Sequence, residues 1–108
     1  MLPKKNRADK KAVEKIFKEG KFINSSNLTF KFVLNNNSTL PRLSVVAPKN
    51  ITKLAVKRNL LRRRGYDALG KYFKDFPLGL MGVFIFKKHQ DDILILENEI
   101  KTILAKIN

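Results

Sequence analysis

No cysteine occurs in the chain, which excludes a disulfide framework and a thiolate metal site. One histidine, His89, is the only imidazole. The acids, at Asp9, Glu14, Glu19, Asp67, Asp75, Asp91, Asp92, Glu97 and Glu99, form no metal-binding group at short spacing. Metal catalysis by the protein's own side chains is therefore not expected. Apolar runs of membrane-spanning length are missing too. Lys4, Lys5 and Arg7 have no apolar run behind them to make a signal peptide, so a cytoplasmic protein is expected. Acidic residues are the last scarcity: 9 Asp and Glu face 23 Lys and Arg, a formal net charge of +14. Self-repulsion of that size destabilises a small fold unless a polyanion neutralises part of it. Nucleic acid is the leading candidate, because its phosphates release condensed counterions when Lys and Arg replace them. An anionic membrane surface is the other.

What is present suffices for a core. With 44% hydrophobic residues in 108, the chain can build one globular domain, 1–108, and is too short for two ordinary ones. From Ala8 to Glu19, Ala12, Val13, Ile16 and Phe17 fall on one helical stripe, with Asp9 near the start and Gly20 at the expected C-cap. Leu28 to Leu34 alternates, with Leu28, Phe30, Phe32 and Leu34 on one side, and predicts a strand. Asn35 to Ser38 make a turn, and a second strand, Arg42 to Ala47, is expected to pair antiparallel with the first. Between Ile51 and Phe73, Leu54, Leu61, Ala68, Leu69 and Tyr72 share a helical face, while Gly65 marks a kink or a close approach. Gly82 to Lys88 predicts a buried strand, and Ile93, Leu96, Ile100, Ile103, Leu104 and Ile107 define a C-terminal helix opened by Asp91 and Asp92. With a short extra strand near Phe22, the order is α-β-β-β-α-β-α around one sheet, an α+β fold of the two-layer α/β sandwich kind.

The charge is segregated. No acid occurs from Gly20 through Tyr66, whereas Lys21, Lys31, Arg42, Lys49, Lys53, Lys57, Arg58, Arg62, Arg63 and Arg64 do. Arg58 and Arg62 stand one turn apart on the long helix with Tyr66 next in line and Asn59 beside them; Arg63, Lys57 and Arg64 point elsewhere. Guanidinium forks fit phosphate oxygens in pairs and stack on bases, and an asparagine amide suits a 2′-hydroxyl or a base edge. A run of this kind also fits a merely solvated face, but four unopposed arginines within seven residues favour RNA. A general RNA-binding or ribosome-associated basic protein fits the same residues. A membrane-surface helix fits less well, for its apolar stripe is modest and lacks tryptophan.

The stretch Arg42-Leu43-Ser44-Val45-Val46-Ala47-Pro48-Lys49-Asn50-Ile51-Thr52-Lys53-Leu54-Ala55-Val56-Lys57-Arg58-Asn59-Leu60-Leu61-Arg62-Arg63-Arg64 resembles the signature of the bacterial ribonuclease P protein component. In that family a strand ends in a Ser-Lys-Lys-like turn and enters a helix through Ala-Val-x-Arg-Asn-Arg-x-Lys/Arg-Arg. Leu2-Pro3-Lys4-Lys5-Asn6-Arg7, followed by Val13, Ile16, Phe17, Lys18, Gly20 and Phe22, resembles the family's first helix and its approach. Leu60 stands where the family usually has the second arginine, and Gly65 where a helix former is expected.

The resemblance implies a left-handed β-α-β crossover in a ribosomal-protein-like topology, which periodicity alone would not suggest. It implies a non-catalytic subunit of an endoribonuclease, with the chemistry in an RNA partner whose Mg²⁺ ions are bound mainly by that RNA. Lys49, Lys53, Lys57, Arg58, Asn59, Arg62, Arg63 and Arg64 would bind the catalytic RNA. Val13, Phe17 and Lys31 would line a cleft for the single-stranded 5′ leader of precursor tRNA. At helical spacing with Val13, Phe17 also fits a core position. Neither a membrane nor DNA is expected as a partner.

Overall fold

The computed structural model describes residues 10–34 and 41–107. Asp9, Ala8, the Leu2–Arg7 segment and the Asn35–Ser38 turn lie outside the described residues. Among these residues, three α-helices, α1 (Lys10–Glu19), α2 (Ala55–Tyr72) and α3 (Ile93–Ile107), pack on four strands, β1 (Lys21–Asn24), β2 (Leu28–Leu34), β3 (Arg42–Val46) and β4 (Leu80–Phe86). The short strand at Phe22 is present, and β2 has the bounds its alternation predicts.

The sheet order is β1-β2-β4-β3. β1 and β4 both pair antiparallel with β2, whereas β3 pairs parallel with β4. The expected antiparallel β2–β3 pairing is therefore wrong, because β4 lies between them. The reason is burial on two faces: Leu80, Phe84 and Phe86 enter the main core while Met81 and Val83 enter a second cluster opposite. A strand apolar on both faces belongs in the interior of a sheet. β3, α2 and β4 thus form the β-α-β unit, with adjacent parallel strands.

Leu28, Phe30 and Phe32 from β2 and Leu43 and Val45 from β3 meet Leu61, Ala68 and Leu69 from α2 and Leu96, Ile100 and Ile103 from α3. Phe30 stacks on Phe84 at 4.3 Å between centroids, and Phe76 meets both rings edge-on. Gly82 interrupts the apolar run of β4 because a Cβ there would enter the Phe30 ring. On the opposite face, α1 sets Ile16 against Met81 and Val83, with Val13, Val33, Val46 and Ile85 packed around them.

Three local expectations are corrected. α2 starts at Ala55, not Ile51, and Leu54 is exposed outside the core stripe. Its carbonyl instead accepts the Lys57 and Arg58 amides, both at 3.1 Å. Leu34, the last residue of β2, is exposed, whereas Leu28, Phe30 and Phe32 on the same side are buried. β4 runs from Leu80 to Phe86, so Lys87 and Lys88 fall outside the strand. At the start of α3, Asp92 Oδ1 accepts the Leu94 and Ile95 amides at 2.9 and 3.4 Å, an N-cap that satisfies otherwise orphaned donors.

Candidate nucleic-acid interface

The core face of α2 decides where its cations go. Leu61, Gly65, Ala68 and Leu69 face inward, so Arg58 and Arg62 are carried along the flank beside β3. Next on this flank, Tyr66 accepts a hydrogen bond at its hydroxyl from the Val45 amide at 3.2 Å, fixing the helix to the edge strand. Gly65 is the close approach: a Cβ there would lie 2.7 Å from Val45 Cγ1 and 3.3 Å from Phe86 Cε2. The glycine that departs from the family pattern thus lets the basic helix sit against β3.

Arg58 is half-buried and donates through Nη1 to the carbonyls of Thr52 at 3.0 Å and Lys53 at 2.9 Å, tying down the turn that enters the helix. Arg62 donates through Nη2 to Asn59 Oδ1 at 2.7 Å. Arg58, Asn59 and Arg62, with Val45, Val46, Ala47 and Ala55, line an open cleft of about 290 Å³ between the end of β3 and α2. Lys49 and Lys53 are exposed on the approach, and Lys57 and Arg63 on other sides of the helix. Arg64 is half-buried, and its Nε is buried with no hydrogen-bond partner. The structure thus gathers three of the eight proposed RNA-binding residues in one cleft and spreads the others around it. The first turn of α2 has no acid and no side-chain cap, so its positive dipole end adds to the cationic field.

The second candidate surface lies on the opposite face of the sheet. Val13 packs at the margin of the Ile16 cluster. Phe17, one turn further, is 46% exposed, so it belongs to the surface, and the Lys31 ammonium lies 4.8 Å from its ring centroid. Sequence reasoning missed the exposed Phe22 on β1, directly opposite Lys31 in the register. Its signal is alternation, since Ile23 beside it packs toward the main core.

The β1–β2 turn that carries this surface is fixed by Glu99 of α3. That carboxylate accepts hydrogen bonds from the Ser25 hydroxyl, from the Asn27 amide at 2.7 Å and from Asn27 Nδ2 at 2.6 Å. Lys87 Nζ donates to the Ser25 carbonyl at 3.0 Å. His89 is exposed between β4 and α3. Among the described residues, no three His, Cys, Asp or Glu side chains gather to hold a metal ion, and no helix is long and apolar enough to cross a membrane.

Comparison with known proteins gives concordant likenesses. The ribonuclease P protein component of Pseudanabaena sp. (strain PCC 6903) is 32% identical over 65 residues, covering 59% of this chain and 56% of that protein. The match thus spans little more than half the length of this curated relative. Among solved structures, a Staphylococcus aureus RNase P protein mutant superposes with a TM-score of 0.82 at 20% identity, over 96% of this chain and 89% of its own. The RNase P protein from Thermotoga maritima gives 0.81 at 23% identity, over 94% and 97%. At these identities the two structures share the fold. The family described as Ribonuclease P matches residues 2–108, and the chain belongs to it.

Proposed function

We propose that this chain is the protein subunit of ribonuclease P. It binds the catalytic RNA through α2 and the 5′ leader of precursor tRNA through the face shared by α1 and β2, promoting endonucleolytic removal of the leader. The observation that carries the reading is the pairing of two unlike surfaces in a member of this family. Arg58, Asn59 and Arg62 converge on an open cleft on one side, and an exposed phenyl ring lies under a lysine on the other.

The first surface suits a folded polyanion. Arginine forks and the Asn59 amide provide donors in several directions, and each phosphate neutralised releases counterions. The second suits an unpaired strand, because a ring offers a base stacking worth roughly 1–3 kcal/mol with little choice of sequence. Holding leader and ribozyme together makes the second contact intramolecular and raises affinity for the precursor over the mature tRNA.

In this reading the hydrolysis, which leaves a 5′-phosphate on the mature end, is carried out by the RNA. Mg²⁺ belongs mainly to that RNA, where bound ions activate water and stabilise the leaving oxygen. The added cations lower the concentration of Mg²⁺ the RNA needs.

Reconstitution tests the proposal. The protein mixed with a bacterial ribonuclease P RNA at limiting Mg²⁺ should stimulate appearance of mature tRNA and bind precursor more tightly than mature tRNA. Absence of stimulation at low Mg²⁺ would refute the subunit role, and equal affinity for the two tRNAs would remove the leader role.

A further inference from the structure

Phe22 has no part in the reading above, yet at 64% exposure it is the most exposed aromatic side chain among the described residues. Folding gives no reason for it. Ile23, the next residue, turns inward to the main core, so β1 is held to the sheet without the Phe22 ring.

Its position follows from the register. Phe22 is the partner of Lys31, and directly paired residues on neighbouring strands share a face with Cβ atoms about 4.5–5.5 Å apart. That face is the one α1 covers, since the Lys31 ammonium lies over Phe17. α1 packs against β2 and β4, whereas β1 is the outer strand, so Phe22 stands on the side of Lys31 away from β4. One lysine therefore has two exposed phenylalanines as neighbours, Phe17 on the helix beneath its ammonium and Phe22 on the paired strand. Isolated exposed phenylalanines are common and carry no message; two beside one lysine form an arrangement.

The rest of the hairpin face agrees. Phe22, Asn24, Thr29 and Lys31 include no acid, and no carboxylate among the described residues pairs with Lys31. Thr29 Oγ1 donates to Asn24 Oδ1 at 2.7 Å, extending the row with polar groups of the kind a ribose hydroxyl meets.

We propose that Phe17 and Phe22 are paired base platforms, taking two successive bases of an unpaired RNA strand while Lys31 takes the phosphate between them. The inference rests on the leader reading above and deepens it: the site recognises strandedness through two stacked bases, and Phe22 is its second specificity-determining residue. Because every base has a π-face, this site should tolerate any leader sequence while rejecting a paired one.

The test uses the holoenzyme reconstituted with a bacterial ribonuclease P RNA and precursor tRNAs carrying a single abasic residue at successive leader positions. Loss of the base at two adjacent positions should weaken binding by about fivefold or more each. Phe22→Ala should abolish the sensitivity at one of these positions and Phe17→Ala at the other. Phe22→Ala should weaken binding of intact precursor to a similar extent, with unchanged affinity for mature tRNA and an unchanged melting temperature. Phe22→Tyr, which keeps the ring, should bind like the parent, whereas Phe22→Leu should not. If Phe22→Ala keeps the parental affinity and abasic profile while Phe17→Ala loses both, the paired platform is wrong and the leader reading survives. If the parent protein itself binds precursor and mature tRNA equally, both fall.

Discussion

Placing alanine at Gly65 and, separately, at Gly70 makes one chemical change at two places on α2, with opposite expected results. At Gly70, which is exposed, an added Cβ meets nothing within 4 Å, so only the better helix propensity of alanine acts. The variant should gain up to about 1 kcal/mol. At Gly65 the same gain is set against a Cβ 2.7 Å from Val45 Cγ1 and 3.3 Å from Phe86 Cε2. Val45 is buried and β-branched, which restricts its χ1, and Phe86 is buried among the core rings, so neither has free room to swing aside. Overpacking of this kind costs about 1–3 kcal/mol. Gly65→Ala should therefore fall below Gly70→Ala by about 1–3 kcal/mol, and each kcal/mol corresponds to about 4–8 °C in a domain near this size. Urea unfolding followed by circular dichroism, without RNA and at fixed salt, measures the difference, and an unchanged m-value assigns it to the native state. A Gly65→Ala protein as stable as Gly70→Ala would refute the claim that β3 needs a bare backbone against the helix.

Replacing Arg58 and Arg62 together with Ala should weaken assembly with the RNA and lower the slope of log affinity against log salt by about 1 for each phosphate no longer neutralised. An unchanged slope in titrations across salt would show that this flank is not the docking surface. Glu99→Ala removes the acceptor of three hydrogen bonds from the β1–β2 turn and should destabilise the protein by about 1–3 kcal/mol, read as a lower melting temperature. It should also loosen the hairpin that presents Lys31, so leader affinity should fall while RNA-subunit affinity holds; an unaltered melt would show that solvent replaces those bonds without loss.

Much of this architecture was legible where one periodicity governs a segment. Leu28, Phe30 and Phe32 identified β2 by alternation, and Leu96, Ile100 and Ile103 identified the inner face of α3. Strand order was not legible in the same way. Neighbouring segments such as β2 and β3 suggest a hairpin, but the central place goes to β4, and that follows from what covers each face of the finished sheet. Leu54 kept the helical period and still lies outside α2, because Arg58 fixes the preceding turn through the Thr52 and Lys53 carbonyls. The cations of the candidate site could be read off directly, whereas their grouping could not. Arg58, Asn59 and Arg62 face one cleft only because Gly65 and Tyr66 set the rotation and distance of the helix against β3. Phe17 shows the same limit, since a four-residue spacing from Val13 does not say how far the sheet extends beneath a ring.

The bond between the Tyr66 phenol and the Val45 amide has a consequence for the molecule in company. An outermost ribbon with vacant amides invites foreign strands to add to it, the first step toward aggregates. Here a side chain from the helix occupies one of those amides, with arginines on the same flank, so a neighbouring copy meets both a blocked donor and like charge. The rim of the sheet is guarded by the same element that faces the polyanion.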